Sequence, residues 1–202
     1  MSDGVALTFD AEHPDRPWCP PANAERILDT LASAGARATF FIQGRWAEAY
    51  PDVARRIADD GHVVGCHSHF HARMPSLSDA GLTDDLTAAR VAIGSATGRD
   101  PRPWFRCPWG AGDDDPRVLA AIAAEGYRHV GWHVVVDDWE PDHTGPAIAS
   151  DVLAGVEANG DGTVVLLHTW PGGTAEALPL ILDELRRRGL GTATVDELSE
   201  LP

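Results

Sequence analysis

The stretch ANAERILDTLASAGARATFFI, residues 22–42, contains the structural unit that the rest of the chain repeats. Its apolar side chains fall on one face of a helix from Ala22 to Ala34, as the period of 3.6 residues requires. Gly35 is typical of a helix C-cap, and the apolar run at residues 38–42 is typical of a buried strand. The stretch therefore predicts a helix that ends at a glycine and leads directly into a strand.

The same order recurs to the end of the chain. Further helices are predicted at 51–60, 82–96, 116–125 and 174–188, and further strands at 5–9, 63–66, 104–106, 129–132 with 134–136, 164–167 and 192–195. Strands that alternate with helices indicate an α/β fold with a parallel sheet. A regular eight-stranded barrel usually needs about 250 residues, so 202 residues predict a distorted (β/α) barrel of about seven strands. No linker interrupts the pattern, and we expect one domain over residues 1–202.

Charge and composition limit the classes of partner. The net charge of −15 argues against nucleic acid and membrane surfaces as partners, because both need basic patches on the protein. A neutral or cationic substrate is favoured, although a bound metal would reverse the charge locally. The three scattered cysteines, Cys19, Cys66 and Cys107, do not form a disulfide framework and are interpreted as non-ligands.

The start of the chain carries no basic segment followed by an apolar one, which a secretion signal would need. No apolar stretch approaches the roughly 20 residues that span a bilayer. We therefore expect a reduced, cytoplasmic protein, although a chain from which a signal has been removed would look the same. The sequence does not indicate the oligomeric state.

Polar residues follow five of the predicted strands at their carboxyl ends. They are Asp10, His67, Arg106, the pair Asp137 and Asp138, and His168. The carboxyl ends of parallel strands share one face of the sheet, and active sites form there. The sequence therefore predicts a site built from all five strand ends.

Two histidines, His67 and His71 in the run GCHSHFH, are the strongest indication of a metal. In a helix or tight turn, imidazoles four residues apart face the same way, whereas in a strand His69 would share their face. The spacing alone leaves this open. Two imidazoles and one carboxylate can hold a divalent ion that keeps an open position for water.

Asp10 and Glu12 supply two carboxylates near the same strand end. If one of them is a metal ligand, the other is free to take a proton from water that the metal has acidified. His13 is a rival ligand. The pattern predicts a metal-dependent hydrolase.

Other residues have candidate roles in the same chemistry. His168 is suited to protonate a leaving amine, and either Asp137 or Asp138 would hold it. Arg106 would pair with Asp10. Trp109, Trp139 and Trp170 each follow a candidate residue closely, and aromatic side chains suit the apolar faces of sugars, although core packing explains them equally well.

The order of these motifs resembles the polysaccharide deacetylase family, also called the NodB homology domain or carbohydrate esterase family 4. The motifs are LTFD at 7–10, HSHFH at 67–71, FRCPWG at 105–110, DW at 138–139 and LLH at 166–168. The resemblance covers almost the whole chain and implies a distorted (β/α) barrel.

The resemblance implies a role for each residue. Asp10 is the catalytic base and Arg106 orients it, while Asp138 tunes the catalytic acid His168. His67 and His71 bind the metal, usually Zn²⁺, with Co²⁺, Ni²⁺ or Mn²⁺ also accepted. The backbone N–H of Trp109 helps to hold the oxyanion, and Trp139 belongs with it to the substrate-binding residues.

The chain departs from the family pattern at Ala11, where the family has a second aspartate that serves as the third ligand. Some members of the wider superfamily place this carboxylate one residue later, and Glu12 is accordingly assigned as the third ligand. The expected function is removal of an acetyl group from an N-acetylated amino sugar. Hydrolysis of a non-sugar amide or cyclic ureide is the alternative, followed by a catalytically silent domain that binds metal and sugar.

Overall fold

The computed structural model describes residues 4–202 of the chain, and residues 1–3, on which the expectation about a secretion signal partly rests, lie outside it. The strands in that range are β1 Val5–Ala11, β2 Thr39–Ile42, β3 Val63–Cys66, β4 Trp104–Phe105, β5 Arg128–His129, β6 Val134–Val135, β7 Val164–His168 and β8 Thr192–Ala193. The helices are α1 Ala22–Ala34, α2 Gly44–Ala49, α3 Pro51–Asp59, α4 Asp79–Thr97, α5 Pro116–Ala124, α6 Gly145–Asn159 and α7 Gly172–Arg187. Within residues 4–202, no helix combines the length and apolar character needed to cross a bilayer.

All the strand pairings in the sheet are parallel. Seven strands follow one path in the order β5-β4-β3-β2-β1-β7-β6, and the short β8 pairs with β1 beside it. No pairing joins β5 to β6 among the described residues, so the barrel is open between them. The predicted distorted barrel of about seven parallel strands is confirmed.

Strand β1 pairs with three others, β2, β7 and β8, and all seven of its residues are buried. A parallel strand covered on both faces reads as a continuous apolar run, as residues 5–9 do. Phe9 stacks on Phe40 of β2 with ring centroids 5.1 Å apart. At Gly65 of β3, a Cβ would lie 2.7 Å from the Phe41 ring, so only glycine lets that ring pack here.

Two helices are not among the predicted elements. The short α2 has six residues and ends just before Pro51, which is too few for a periodic pattern to show. The longer α6 is built mainly of small and apolar residues, so its buried face does not stand out from the rest of its sequence. By contrast, α1 has the predicted bounds, and Gly35 caps it in the left-handed conformation.

Candidate active site

The carboxyl ends of the strands surround a cavity of about 440 Å³. Its walls include all three predicted metal ligands and both predicted acid–base residues: Asp10, Glu12, His67, His71 and His168. Arg106 and Asp138 lie behind this wall and are almost completely buried. The structure thus brings together the residues that the sequence places on five separate strand ends.

Arg106 holds Asp10 from behind. Its guanidinium is fully buried, and Nη1 donates to Asp10 Oδ1 at 3.0 Å and to Thr8 Oγ1 at 2.8 Å. Nη2 donates to the Gly131 carbonyl at 2.9 Å, and the ring of Phe41 lies 4.1 Å from the guanidinium carbon. Burial lowers the pKa of Arg106, and the charge of Asp10 opposes that effect. Asp10 is therefore fixed by a buried ion pair, with its other oxygen directed to the cavity side.

The histidine loop after β3 is a tight turn and not an extended strand. Ser68 and His71 have positive φ values of 62° and 58°, and the His71 N–H donates to Ser68 Oγ at 2.9 Å. The turn brings His67 and His71 to the same cavity, whereas His69 faces a different one beside α2 and α4. This resolves the alternative that the spacing left open.

A buried carboxylate on α4 fixes that turn. Asp85 accepts hydrogen bonds from the backbone N–H groups of His69 at 2.9 Å and Phe70 at 3.1 Å. Asp85 is not among the site residues predicted from the sequence. Its signal was an acidic residue on the apolar face of a helix, between the buried Leu82 and Ala89, where an unpaired charge would be costly.

Glu12 lies at the centre of a group of imidazoles. Its Oε2 contacts Nε2 of His71 and lies 3.3 Å from Nε2 of His67. Its Oε1 lies 3.0 Å from Nε2 of His13 and accepts a hydrogen bond from Trp170 Nε1 at 3.2 Å. Burial acts to raise the pKa of Glu12, but the three imidazoles outweigh it and hold that pKa well below its usual value. Glu12 is therefore a negatively charged carboxylate in a buried site, and its charge has to be balanced by cationic groups around it.

The donor atoms fit a divalent metal. Nδ1 of His67 lies 2.9 Å from the Arg106 carbonyl, which can only accept a hydrogen bond, so Nδ1 carries the hydrogen. Nε2 therefore keeps a lone pair that can bind a metal ion. A histidine oriented in this way by a carbonyl is typical of metal sites. Nε2 of His67 then faces Glu12 and, at 3.5 Å, Asp10. A lone pair facing two carboxylates requires a shared cation, which is either a proton or a metal ion.

His13 is a further candidate ligand for a metal at this site. Donor atoms of Glu12, His13 and His71 all lie within 4.8 Å of one another. His13 has a φ of 61°, and its N–H donates to Oε1 of the buried Gln43 at 2.9 Å. The geometry thus offers His13 and His67 as alternative partners of Glu12 and His71, and the sequence analysis did not identify the support from Gln43.

His168 is held by Asp138 and not by Asp137. Nδ1 of His168 lies 2.7 Å from Asp138 Oδ1, while Asp138 Oδ2 accepts from the His168 N–H at 2.8 Å and from Thr174 Oγ1 at 2.5 Å. Asp137 is exposed. Burial acts to lower the pKa of His168, but Asp138, together with the charges of Glu12 and Asp10, outweighs it and raises that pKa to about 9. His168 is therefore protonated at neutral pH and able to donate from Nε2. Thr174 is a further support that the sequence did not reveal.

Four tryptophans line the cavity: Trp132 and the three that follow candidate residues in the sequence, Trp109, Trp139 and Trp170. Trp109 has a φ of 62°, its Nε1 donates to the His71 carbonyl at 3.3 Å, and the residue is half-exposed. Trp139 packs edge-on against His168 with centroids 5.3 Å apart. These rings both support the site residues and present aromatic surface to a ligand. Cys107 also lines the cavity, and burial raises its pKa to about 12, which keeps the thiol neutral.

Comparisons of sequence and of structure relate this chain to known proteins. Residues 2–130 match the family model described as polysaccharide deacetylase. A chitooligosaccharide deacetylase from Bradyrhizobium is 33% identical over 92% of this chain and 85% of its own length. A peptidoglycan-N-acetylglucosamine deacetylase from Bacillus cereus is 29% identical over 96% of this chain and 67% of its own. A solved structure from Bacillus anthracis, described as a pseudoenzyme of carbohydrate esterase family 4, has a TM-score of 0.86 at 27% identity and covers 98% of this chain and 66% of that one.

Replacing Asp85 with alanine is predicted to weaken zinc binding by about tenfold, the size of effect typical of an outer-shell metal contact. The reason is that the histidine turn would lose the acceptor of two backbone N–H groups. Titration calorimetry of the metal-stripped chain with zinc measures this. Asp84→Ala, on the exposed side of the same helix, is the matched control. Equal zinc affinity in the two variants would contradict the positioning role of Asp85.

Replacing Glu12 with alanine is predicted to weaken zinc binding more than the roughly 10- to 100-fold typical of an outer-shell change, because a charged ligand is lost. His13→Ala is predicted to have the smaller effect of the two. The same calorimetry compares both variants with the wild type. A Glu12→Ala variant that still binds zinc normally, beside a His13→Ala variant that does not, would transfer the third ligand position to His13.

Proposed function

The chain belongs to the polysaccharide deacetylase family, and from this premise we propose that it removes the acetyl group of an N-acetylated amino sugar in a metal-dependent reaction. The observation that carries the proposal is the pair Asp10 and His168, which are register partners on β1 and β7. The buried guanidinium of Arg106 holds Asp10, and the buried carboxylate of Asp138 holds His168. Hydrolysis of an amide needs one group of each kind, a base for the water and an acid for the amine.

Asp10 acts as the base in this proposal. Arg106 occupies Oδ1 of Asp10, which leaves Oδ2 to take a proton from water as the water oxygen bonds to the acyl carbon. The bond from that carbon to nitrogen then breaks, and His168 Nε2 gives the departing amine its proton. Water and amide are thereby converted to amine and acetate. Asp138 stabilises the positive charge that His168 carries before the transfer.

Glu12, His67 and His71 would hold the metal, for which we propose zinc. A divalent ion there supplies polarisation of the acyl oxygen and a lower pKa for the attacking water. The backbone N–H of Trp109 is proposed as the second donor to the developing oxyanion. Trp109 and Trp139 would contact the apolar face of the sugar.

The likeness to deacetylases of chitooligosaccharides and peptidoglycan supports a sugar as the substrate. A non-sugar amide remains the alternative, and Ala11 is the feature that favours it. The likeness to a pseudoenzyme favours a second candidate, a domain that binds metal and sugar without turnover. The hydrogen-bonded groupings of Arg106 with Asp10 and of Asp138 with His168 support catalysis, because binding alone needs neither.

The direct test is acetate release from N-acetylglucosamine oligosaccharides and from N-acetylated non-sugar amides. The chain is assayed after chelation and again after zinc is restored. Acetate from the oligosaccharides that requires zinc supports the proposed function, and acetate from the other amides alone supports the alternative. A zinc-loaded chain that releases no acetate from either would contradict an enzymatic role.

Replacing Asp10 with asparagine is predicted to lower the rate of acetate release by about 100- to 10,000-fold, the usual contribution of a general base. The asparagine side chain would still fit beside Arg106 but would not accept the proton. Zinc affinity, measured in parallel by calorimetry, is expected to stay near that of the wild type. A variant that binds zinc and retains most of the rate would rule out Asp10 as the base.

Replacing Asp138 with asparagine is predicted to move the alkaline limb of the pH–rate profile to lower pH. The acid must be protonated to act, so the wild-type rate should fall as the pH rises through about 9, the pKa of His168. Without the Asp138 charge that pKa falls, and so does the midpoint of the limb. The exposed neighbour gives the control, since Asp137→Asn removes the same charge. Identical shifts in both variants would point to overall charge and away from the Asp138 contact.

A further inference from the structure

Two arginines, Arg16 and Arg73, line the cavity on the loops that carry the candidate metal ligands. Arg16 lies three residues after His13 in the chain, and its N–H donates to the His13 carbonyl at 3.2 Å. Arg73 lies two residues after His71 and is exposed, while Arg16 is half-buried. Both side chains are therefore at the mouth of the cavity, next to the reacting centre and not part of it.

Neither guanidinium forms an ion pair in the part of the chain that the structure describes. Among residues 4–202, no carboxylate lies within ion-pair distance of Arg16 or Arg73. Asp15, adjacent to Arg16 in the chain, pairs with Arg45 at 3.3 Å. The carboxylate nearest to Arg16 in the sequence is thus paired with a different arginine.

Aromatic rings hold both guanidiniums instead. The guanidinium carbon of Arg16 lies 6.0 Å from the ring centroid of Trp18, and that of Arg73 lies 5.5 Å from the centroid of Trp109. Such a contact orients the guanidinium plane and leaves its charge and its N–H donors available. The two arginines are therefore positioned to bind an anion.

The two carboxylates that line the cavity do not offset this charge. Asp10 is paired with Arg106, and Glu12 is surrounded by imidazoles. The free charges at the cavity mouth are therefore positive, in a protein whose net charge is −15. This local charge favours an anionic ligand, whereas the overall composition predicts a neutral or cationic substrate.

We propose that the substrate carries a carboxylate close to its N-acetyl group, and that Arg16 and Arg73 bind this carboxylate at the cavity mouth. The inference rests on the proposed deacetylation and adds the chemical class of its substrate. Arginine forms two parallel hydrogen bonds to a carboxylate, so the pair would select for charge and also orient the acetyl group. An acidic N-acetylated sugar and an N-acetylated amino acid share this chemistry.

The test compares substrates that differ in charge but hardly in size. The sugar pair is N-acetylmuramic acid and its methyl ester, and the amino-acid pair is N-acetylalanine and its neutral amide, N-acetylalaninamide. For each pair, kcat/KM of the zinc-loaded chain is measured by acetate release, and the affinity by calorimetry. We expect the charged member to be preferred about tenfold or more, mainly through KM, in line with one charge-assisted pair at a partly exposed site. The pair that shows the preference identifies the source of the carboxylate.

Arginine variants separate recognition by these side chains from any contact of the carboxylate with the metal. Arg16→Gln and Arg73→Gln are each expected to lower the charged-to-neutral ratio several-fold, and the effect should weaken as salt is raised. Arg186→Gln is the matched control, because it removes the same charge from the exposed end of α7. It should leave the ratio unchanged.

The outcomes distinguish this inference from the proposed function. Acetate release without a preference for the charged member, or with a preference that survives both arginine variants, would overturn the carboxylate site and leave the deacetylase standing. Arginine-dependent binding of the charged member without acetate release would keep the carboxylate site and contradict the deacetylase. Absence of both acetate and preferential binding would overturn the inference.

Discussion

The buried guanidinium of Arg106 is the constraint on which the rest of the site depends. A fully buried cation must be paired and hydrogen-bonded, or it destabilises the fold by several kcal/mol. Here the side chain meets that need with Asp10 on β1 and the Gly131 carbonyl after β5, beneath the ring of Phe41. Its own backbone carbonyl accepts from Nδ1 of His67. One residue at the end of β4 therefore fixes both the proposed base and the orientation of a proposed metal ligand.

Three buried carboxylates in the site differ in their partners, and the difference separates their roles. Asp10 is paired with a permanent cation that cannot give up its proton, so it stays available to accept one. Glu12 is enclosed by imidazoles whose charge depends on a proton or a metal ion. Asp138 is bonded to His168 and, together with Glu12 and Asp10, raises its pKa to about 9, which suits that imidazole to the proposed role of an acid. The same side-chain chemistry thus supports three different proposed roles, those of a base, a metal ligand and a tuning group.

The sequence predicted what depends on local pattern and missed what depends on packing. Helix α1, with its glycine cap, and the collection of polar residues at strand ends follow from periodicity and from the geometry of parallel sheets. Asp85 and Thr174 were missed because their partners lie far away in the chain, on a turn and a strand end that only the fold brings near. The choice between Glu12 and His13 as the third metal ligand was open in the sequence and stays open in the geometry, because donor atoms of both residues lie close to His71. The role suggested for Arg16 depends on the absence, within residues 4–202, of a carboxylate at ion-pair distance, which no local pattern reveals.

The central claim is that Glu12 takes the place of the missing aspartate at position 11, so that Asp10 remains free to act as a base. A crystal structure of the zinc-loaded chain, with zinc located by anomalous diffraction at its absorption edge, tests this most directly. The account predicts one zinc ion bound by Glu12, His67 and His71 at about 2.0–2.2 Å, with Asp10 still paired to Arg106. Zinc bound by Asp10, or held without Glu12, would contradict it.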